Sequence, residues 1–240
     1  MDIVKTIIGS IPIYYINLDR ASERKDKLVN LFELSGIINY KRVKAIDGNE
    51  LDLTQYNSKY TFTKLNLSVY EIACLESHIN AIKMALIDNC DFALIMEDDV
   101  NFDYIQYKTL TLSELIENLN EIEPDWDIIQ CAQTTNRKNF AKLSKITDKE
   151  FVCGWESGAM AYIINKKAMN KIIENFTNIQ ELTVSENYIF GISKTFMTKP
   201  YFSYYYRNDV SSLIRDNSKS SMATQTIAKR LWDEFYGIKF

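Results

Sequence analysis

Basic charge, long apolar runs and paired cysteines are all missing from this sequence. Its 28 Lys and Arg are outnumbered by 32 Asp and Glu, leaving a net charge of −4 over 240 residues. A nucleic-acid binder carries a basic footprint, and the overall charge shows none. No stretch approaches the roughly 18 consecutive apolar residues of a membrane span. Met1–Ser10 is apolar but short, carries Lys5 and lacks a small-residue cleavage site, so no signal peptide and a cytoplasmic location are expected. Cys74, Cys90, Cys131 and Cys153 make neither a C-x-x-C pair nor a zinc signature. They read as small buried hydrophobes in a reducing compartment. Sequons at Asn66 and Asn175 matter only if the chain is secreted.

What is present is ordinary globular composition, with 46% hydrophobic and 25% charged residues. A chain of this length buries ~70% of its unfolded surface and needs no disulfide or metal to fold. Lys outnumbers Arg 21 to 7, part of an excess of Ile, Asn, Lys and Tyr that marks an AT-rich genome. The arginines that remain, Arg20 and Arg24 among them, are the more informative for it. There is no internal repeat and no domain linker.

Residues 13–18 form a short apolar run that reads as a buried strand. A helix follows, with Leu28, Leu31 and Phe32 at helical spacing, Gly36 as its stop and Asp19 or Ser22 as its cap. Residues 40–46 read as a second strand, so the chain opens strand–helix–strand, the start of an α/β fold with a parallel sheet. Residues 49–67 are polar and irregular. Ser68 and Glu71 are spaced as a capping box, ahead of a helical stripe of Ile72, Leu75, Ile79, Ile82 and Leu86. Cys74 and His78 stack one turn apart on the flank of that stripe. Residues 92–96 form a central strand. Helices are expected over 113–122, 166–176 and 220–236, the last with Ile227, Leu231 and Phe235 on one side. Strands are expected over 127–132, 151–155 and 158–164, an aromatic strand pair over 196–206, and a loop over 133–150.

The central strand ends in Glu97-Asp98-Asp99. Three adjacent carboxylates repel and call for a countercharge or solvent. In open α/β sheets ligands bind beyond the carboxyl ends of strands, and hard oxygen donors there suit Mg²⁺ or Mn²⁺ holding a nucleotide diphosphate. The plainer alternative is a solvated acidic turn or helix cap. Asn17, Asp19, Arg20 and Arg24, after the first strand, should share that sheet edge. They read either as phosphate and ribose ligands or as caps and surface ion pairs. His78, the sole histidine, is a site candidate or a satisfied structural residue.

These blocks together resemble glycosyltransferase family 25. The resemblance rests on Ile16-Asn17-Leu18-Asp19-Arg20 with Arg24, on Arg42 through Gly48, on Ser68 through His78, and on Leu94 through Val100. It covers residues 12–101 in four ordered blocks, continues more weakly from Gly158 to Tyr162, and is thin beyond. It implies a GT-A-type α/β fold, a Rossmann-like mixed sheet flanked by helices. It also implies a UDP-sugar donor, UDP-galactose or UDP-glucose, a Mn²⁺ or Mg²⁺ cofactor, and inversion at the anomeric carbon. By the resemblance, Glu97 and Asp99 take the outer places of a D-x-D metal motif. Asn17, Asp19, Arg20, Arg24, Ala45, Asp47 and Gly48 fall in the donor pocket, with His78 and Asp98 beside it.

The family's late Val-Asp-[Glu or aromatic] segment reads here Val184-Ser185-Glu186, so either Glu186 takes over by a one-residue shift or the site is altered; the third metal ligand stays open, and the base is expected at Glu186, with Glu156 as the alternative. Acceptors of this kind are glycans, glycolipids or proteins. Because a GT-A core needs most of 240 residues, one domain over 1–240 is expected, with 220–240 as a C-terminal amphipathic helix packed on it. The rival readings are a catalytically degenerate nucleotide-sugar or glycan-binding module and a partner-binding module docking through the last helix.

Overall fold

The structure, a computed structural model, describes residues 3–52, 54, 67–179, 181–204 and 219–238. The Asn66 sequon, most of the polar 49–67 stretch, Tyr205 and Tyr206 lie outside the described residues. In chain order the elements are α1 (Ile3–Ile8), β1 (Ile13–Asn17), α2 (Ser22–Leu34), β2 (Tyr40–Lys44), α3 (Val69–Ile87), β3 (Phe92–Glu97) and β4 (Val100–Asn101). They continue with α4 (Leu112–Ile122), β5 (Ile128–Ala132), α5 (Arg137–Leu143), β6 (Val152–Cys153), β7 (Ala161–Asn165) and α6 (Lys166–Thr177). The last are α7 (Ser185–Gly191), β8 (Thr195–Met197), β9 (Ser203–Tyr204) and α8 (Lys219–Phe235).

Seven strands form one mixed sheet in the order β2-β1-β3-β7-β5-β8-β6. β1 runs parallel to both β2 and β3, as the opening strand–helix–strand reading requires. β7 is antiparallel to β3 and to β5, which makes the sheet mixed. Helices cover both faces, so the central strands are largely apolar, with Gln130 of β5 a buried polar exception. In β1 the side chains alternate. Ile13 and Tyr15 pack with Leu28 and Phe32 of α2 and Leu115 and Leu119 of α4. Tyr14 and Ile16 pack on the other side with Ile72, Leu75, Ile79 and Ile82 of α3 and Ile172 of α6. This is the mixed α/β sheet flanked by helices that the resemblance implies.

α3 starts on the expected capping box: Glu71 N–H donates to Ser68 Oγ at 3.3 Å and Ser68 N–H to Glu71 Oε2 at 2.9 Å. α4 starts on a second one, Thr111 with Glu114, which was not read from the sequence.

Four expectations are corrected. Neither Asp19 nor Ser22 caps α2; Ala21 is its N-cap, without a side-chain hydrogen bond, because Asp19 is drawn instead to Arg42 and Lys44. The 133–150 stretch is not all loop. It holds α5, capped by Asn136 and fixed by the buried Leu143. The strands expected over 151–155 and 158–164 shorten to β6 and β7, because Gly154 and Gly158 break the extended backbone at φ +115° and +100°. In α8 the inward face is Ala228, Lys229, Trp232 and Asp233, one residue round from the apolar stripe, and Ile227 and Phe235 remain exposed. A buried ion pair causes the rotation. Lys229 Nζ lies 2.8 Å from Asp233 Oδ2, and Tyr104 donates to Asp233 Oδ1 at 2.8 Å. Trp232 sets its indole edge-on to Phe140 and donates to Thr135 Oγ1 at 3.2 Å.

The aromatic strand pair over 196–206 divides between two sheets: β8 joins the main one, and β9 pairs with β4 in a two-stranded ribbon directly after the three carboxylates. Among the described residues no helix is long and apolar enough to cross a membrane.

Candidate active site

β1 and β3 are parallel neighbours with Ile16 opposite Glu97, so Asn17 and the three carboxylates emerge at the same sheet edge. β7 runs the other way, and its approach segment supplies the Met160 carbonyl that accepts from Glu97 N–H at 2.8 Å. The carboxyl end of β5 lies on that edge too, one strand beyond β7. Segments 17–24, 97–99, 133–136 and 155–160 therefore converge there.

Asp98 turns inward. Its carboxylate accepts from Asn17 Nδ2 at 2.6 Å and pairs with Arg24 at 2.9 Å. Burial raises its pKa to about 6, although Arg24 and Asn17 pull it down. Asp99 is raised as well, first by burial and then by the charges of Glu97 and Asp98. Its Oδ1 is buried and has no hydrogen-bond partner among the described residues. With Asp98 engaged by Arg24 and Asn17, the two outer carboxylates are left for another cation. An orphaned buried oxygen beside a second carboxylate fits a hard divalent ion.

The expected donor-pocket residues also come together. Asn17 Oδ1 accepts from Arg42 Nε at 2.8 Å, and Asp19 is held by Arg42 at 2.6 Å and Lys44 at 2.7 Å. These two cations keep the Asp19 carboxyl below its usual range, Lys44 the more strongly. Arg20 pairs with Asp47 at 2.5 Å and lowers the pKa of Asp47 in the same way. Ala45 N–H donates to Asn17 O at 3.0 Å. Gly48 lies against the start of α3, where an added Cβ would sit 2.6 Å from the Tyr70 ring and 3.0 Å from Tyr70 Cα. The contacts within this cluster are those of the ion-pair reading, each arginine being oriented by a carboxylate.

His78 is buried and bridges two groups. Nε2 lies 3.3 Å from Glu97 Oε1, and Nδ1 lies 3.2 Å from the Tyr162 hydroxyl. Ser77 and Glu71, its neighbours in sequence, are occupied elsewhere: Ser77 Oγ accepts from Ile46 N–H, and Glu71 closes the capping box. Glu186 stands in the first turn of α7, where Ser185 Oγ donates to it at 3.1 Å and also lies 3.6 Å from Cys74 Sγ. Glu156 occupies the β5 side of the edge. Gln130 clamps its backbone and that of Gly158, and its carboxylate accepts from Asn136 at 2.9 Å and from Asn139. Trp155, next to Glu156 in the chain, packs against Phe190 with ring centroids 6.0 Å apart.

Sequence reasoning did not single out Arg42, Tyr162, Asn136 or Asn139. Arg42 lay inside a quoted motif. Tyr162 sits in an apolar strand, where nothing marks its hydroxyl as useful.

A profile of glycosyltransferase family 25 (LPS biosynthesis protein) matches residues 10–188. A glycosyltransferase 25 family member of Aedes aegypti is 24% identical over 77% of this chain and 31% of its own length. Procollagen galactosyltransferase 2 of Homo sapiens is 31% identical over 51% of this chain and 20% of its own length. The chain thus spans a third or less of these relatives. Among solved structures, mouse xyloside xylosyltransferase 1 aligns with 79% of this chain and 73% of its own, at 9% identity and a TM-score of 0.32. With its profile match running from before β1 into α7, the chain belongs to glycosyltransferase family 25.

Proposed function

We propose that this glycosyltransferase moves a hexose, galactose or glucose, from a UDP-sugar to a hydroxyl of a glycan, glycolipid or protein acceptor, with inversion. The observation that carries the reading is the unpartnered, buried Oδ1 of Asp99 beside Glu97, at the carboxyl edge of the parallel strands. Glu97 and Asp99 would hold Mn²⁺ or Mg²⁺. Bound there, the cation supplies charge neutralisation for a departing diphosphate. Arg24 and Asn17 fix Asp98 and so set the angle at which its two neighbours leave the strand. Arg20, Arg42, Asp19 and Asp47 form the wall suited to the nucleotide.

Glu186 is the favoured base. It lies next to the Cys74 and His78 side of the site, whereas the Glu156 carboxylate is taken up by two asparagine amides. The base takes the proton of the acceptor hydroxyl as that oxygen bonds to C1. The C1–oxygen bond to UDP breaks with its electron pair staying on the diphosphate.

Asp99→Ala should abolish cation-dependent UDP release from a UDP-sugar, and unchanged turnover would remove the metal role. Glu186→Gln should keep donor binding and lose transfer, and full activity would return the base role to Glu156. Donor binding by the unmodified chain with no UDP release for any acceptor would establish the degenerate binding module instead.

A further inference from the structure

Among the described residues, Cys74, His78 and Glu97 offer a sulfur, an imidazole nitrogen and a carboxylate oxygen that all lie within 4.8 Å of one another. Cys74 and His78 are one turn apart on α3, so a single rigid element presents both. Glu97 comes from the end of β3, which fixes the third donor on a second rigid element.

We propose that these three side chains form a site for a thiophilic divalent cation of the Zn²⁺ class, separate in chemistry from the oxygen pair of Glu97 and Asp99. Tetrahedral zinc with its usual bond lengths sets its ligand atoms about 3.3–3.6 Å apart. His78 Nε2 and Glu97 Oε1 already stand at 3.3 Å. The sulfur needs to close by only about 1 Å, well within one side-chain rotation.

The surroundings are those of a ligand set. Metal-binding histidines commonly fix their far nitrogen on a polar partner. Here His78 Nδ1 faces the Tyr162 hydroxyl at 3.2 Å, with the rings stacked at 5.8 Å, which leaves Nε2 aimed at Glu97. Ser185 Oγ, whose proton goes to Glu186, lies 3.6 Å from the sulfur and keeps that side of it polar. On binding, the thiol proton leaves to solvent and the sulfur, imidazole and carboxylate each give one electron pair to the ion. The fourth place is open to water or to Glu186, which Ser185 already contacts. Glu97 belongs to both sites, so a soft ion here would take it from a hard ion at Asp99. The proposal does not depend on the transferase reading.

The test is a titration of the whole chain with Co²⁺, then Zn²⁺. Co²⁺ should give a thiolate charge-transfer band in the near ultraviolet and tetrahedral bands in the visible, saturating at one ion per chain and bleached by Zn²⁺. Cys74→Ser should lose the near-ultraviolet band, and Cys153→Ser, at the exposed cysteine, should keep it. Tyr162→Phe should weaken binding about ten-fold. A second readout needs no variant: His78 is the sole histidine, so one imidazole signal by nitrogen NMR should shift at Nε2 on Zn²⁺ addition. No thiolate band in the unmodified chain, a band surviving in Cys74→Ser, or an unmoved His78 signal at saturating Zn²⁺ would each overturn the proposal.

Discussion

Replacing Asp233 by Ala should be among the most costly single changes outside the proposed catalytic edge. Asp233 and Lys229 are both buried on the inward face of α8, 2.8 Å apart, and Tyr104 donates to the same carboxylate. At that distance the attraction is about 6 kcal/mol for an effective dielectric of ~20, and desolvation offsets much of it. Removing the carboxylate breaks a buried, hydrogen-bonded ion pair and takes from the ammonium the charge 2.8 Å away, which costs roughly 3–5 kcal/mol. For a chain of this size that lowers Tm by about 6–20 °C. Urea denaturation followed by circular dichroism measures it directly. The double variant Lys229→Met/Asp233→Leu should regain most of the loss, because it removes both charges and keeps the volume. The exposed Lys167–Asp125 pair, at 3.9 Å, is the control, worth under about 1 kcal/mol. A loss below about 1 kcal/mol in Asp233→Ala, or a double variant no better than the single, would show the pair to be solvent-screened and the account of α8 packing wrong.

Gly48→Ala forces a methyl to within 2.6 Å of the Tyr70 ring and 3.0 Å of its backbone, so it should cost about 1–3 kcal/mol and, under the proposed donor pocket, weaken UDP binding, read by calorimetry. Lys108 is held among the Tyr201 ring, the Lys199 carbonyl and the Tyr236 hydroxyl, and burial pushes its pKa down to about 7. Unfolded, it binds its proton up to about pH 10.4, so between pH 7 and 10 the unfolded state carries more protons and stability rises with pH. That slope, at most ~1.4 kcal/mol per pH unit, should vanish in Lys108→Met when unfolding is followed across the range. Ser68→Ala opens the α3 capping box and should cost about 1 kcal/mol by thermal unfolding, with Thr at that position nearly neutral.

The elements around the carboxyl edge were legible because each carries a local signal. The five-residue apolar run ahead of Glu97 marks a strand covered on both faces, and Ser68 with Glu71 marks a helix start. The polar partners were less legible, because side-chain hydrogen bonds between distant segments leave no periodicity. Nothing near Asp98 in the chain indicates that Asn17 and Arg24 will hold it, and nothing near His78 points to Tyr162. The α8 face was misread for a related reason. Apolar spacing favoured Ile227, Leu231 and Phe235, but a Lys–Asp pair four residues apart, closed by a tyrosine from another segment, outweighed it.

β7, wedged antiparallel between β3 and β5, bears on folding order as well as on geometry. Contacts at the proposed catalytic edge join residues 81 apart for Asn17 and Asp98, 84 for His78 and Tyr162, and 111 for Cys74 and Ser185. Such pairings form only after large loops have closed, which makes them slow steps in a folding reaction. The β1–α2–β2 unit can assemble early from near neighbours, but the contacts of Met160 with Glu97 and of Tyr162 with His78 form only when β7 docks beside β3. A chain arrested before β7 docks would hold much of its secondary structure, with Glu97 lacking its Met160 carbonyl and His78 its Tyr162 hydroxyl.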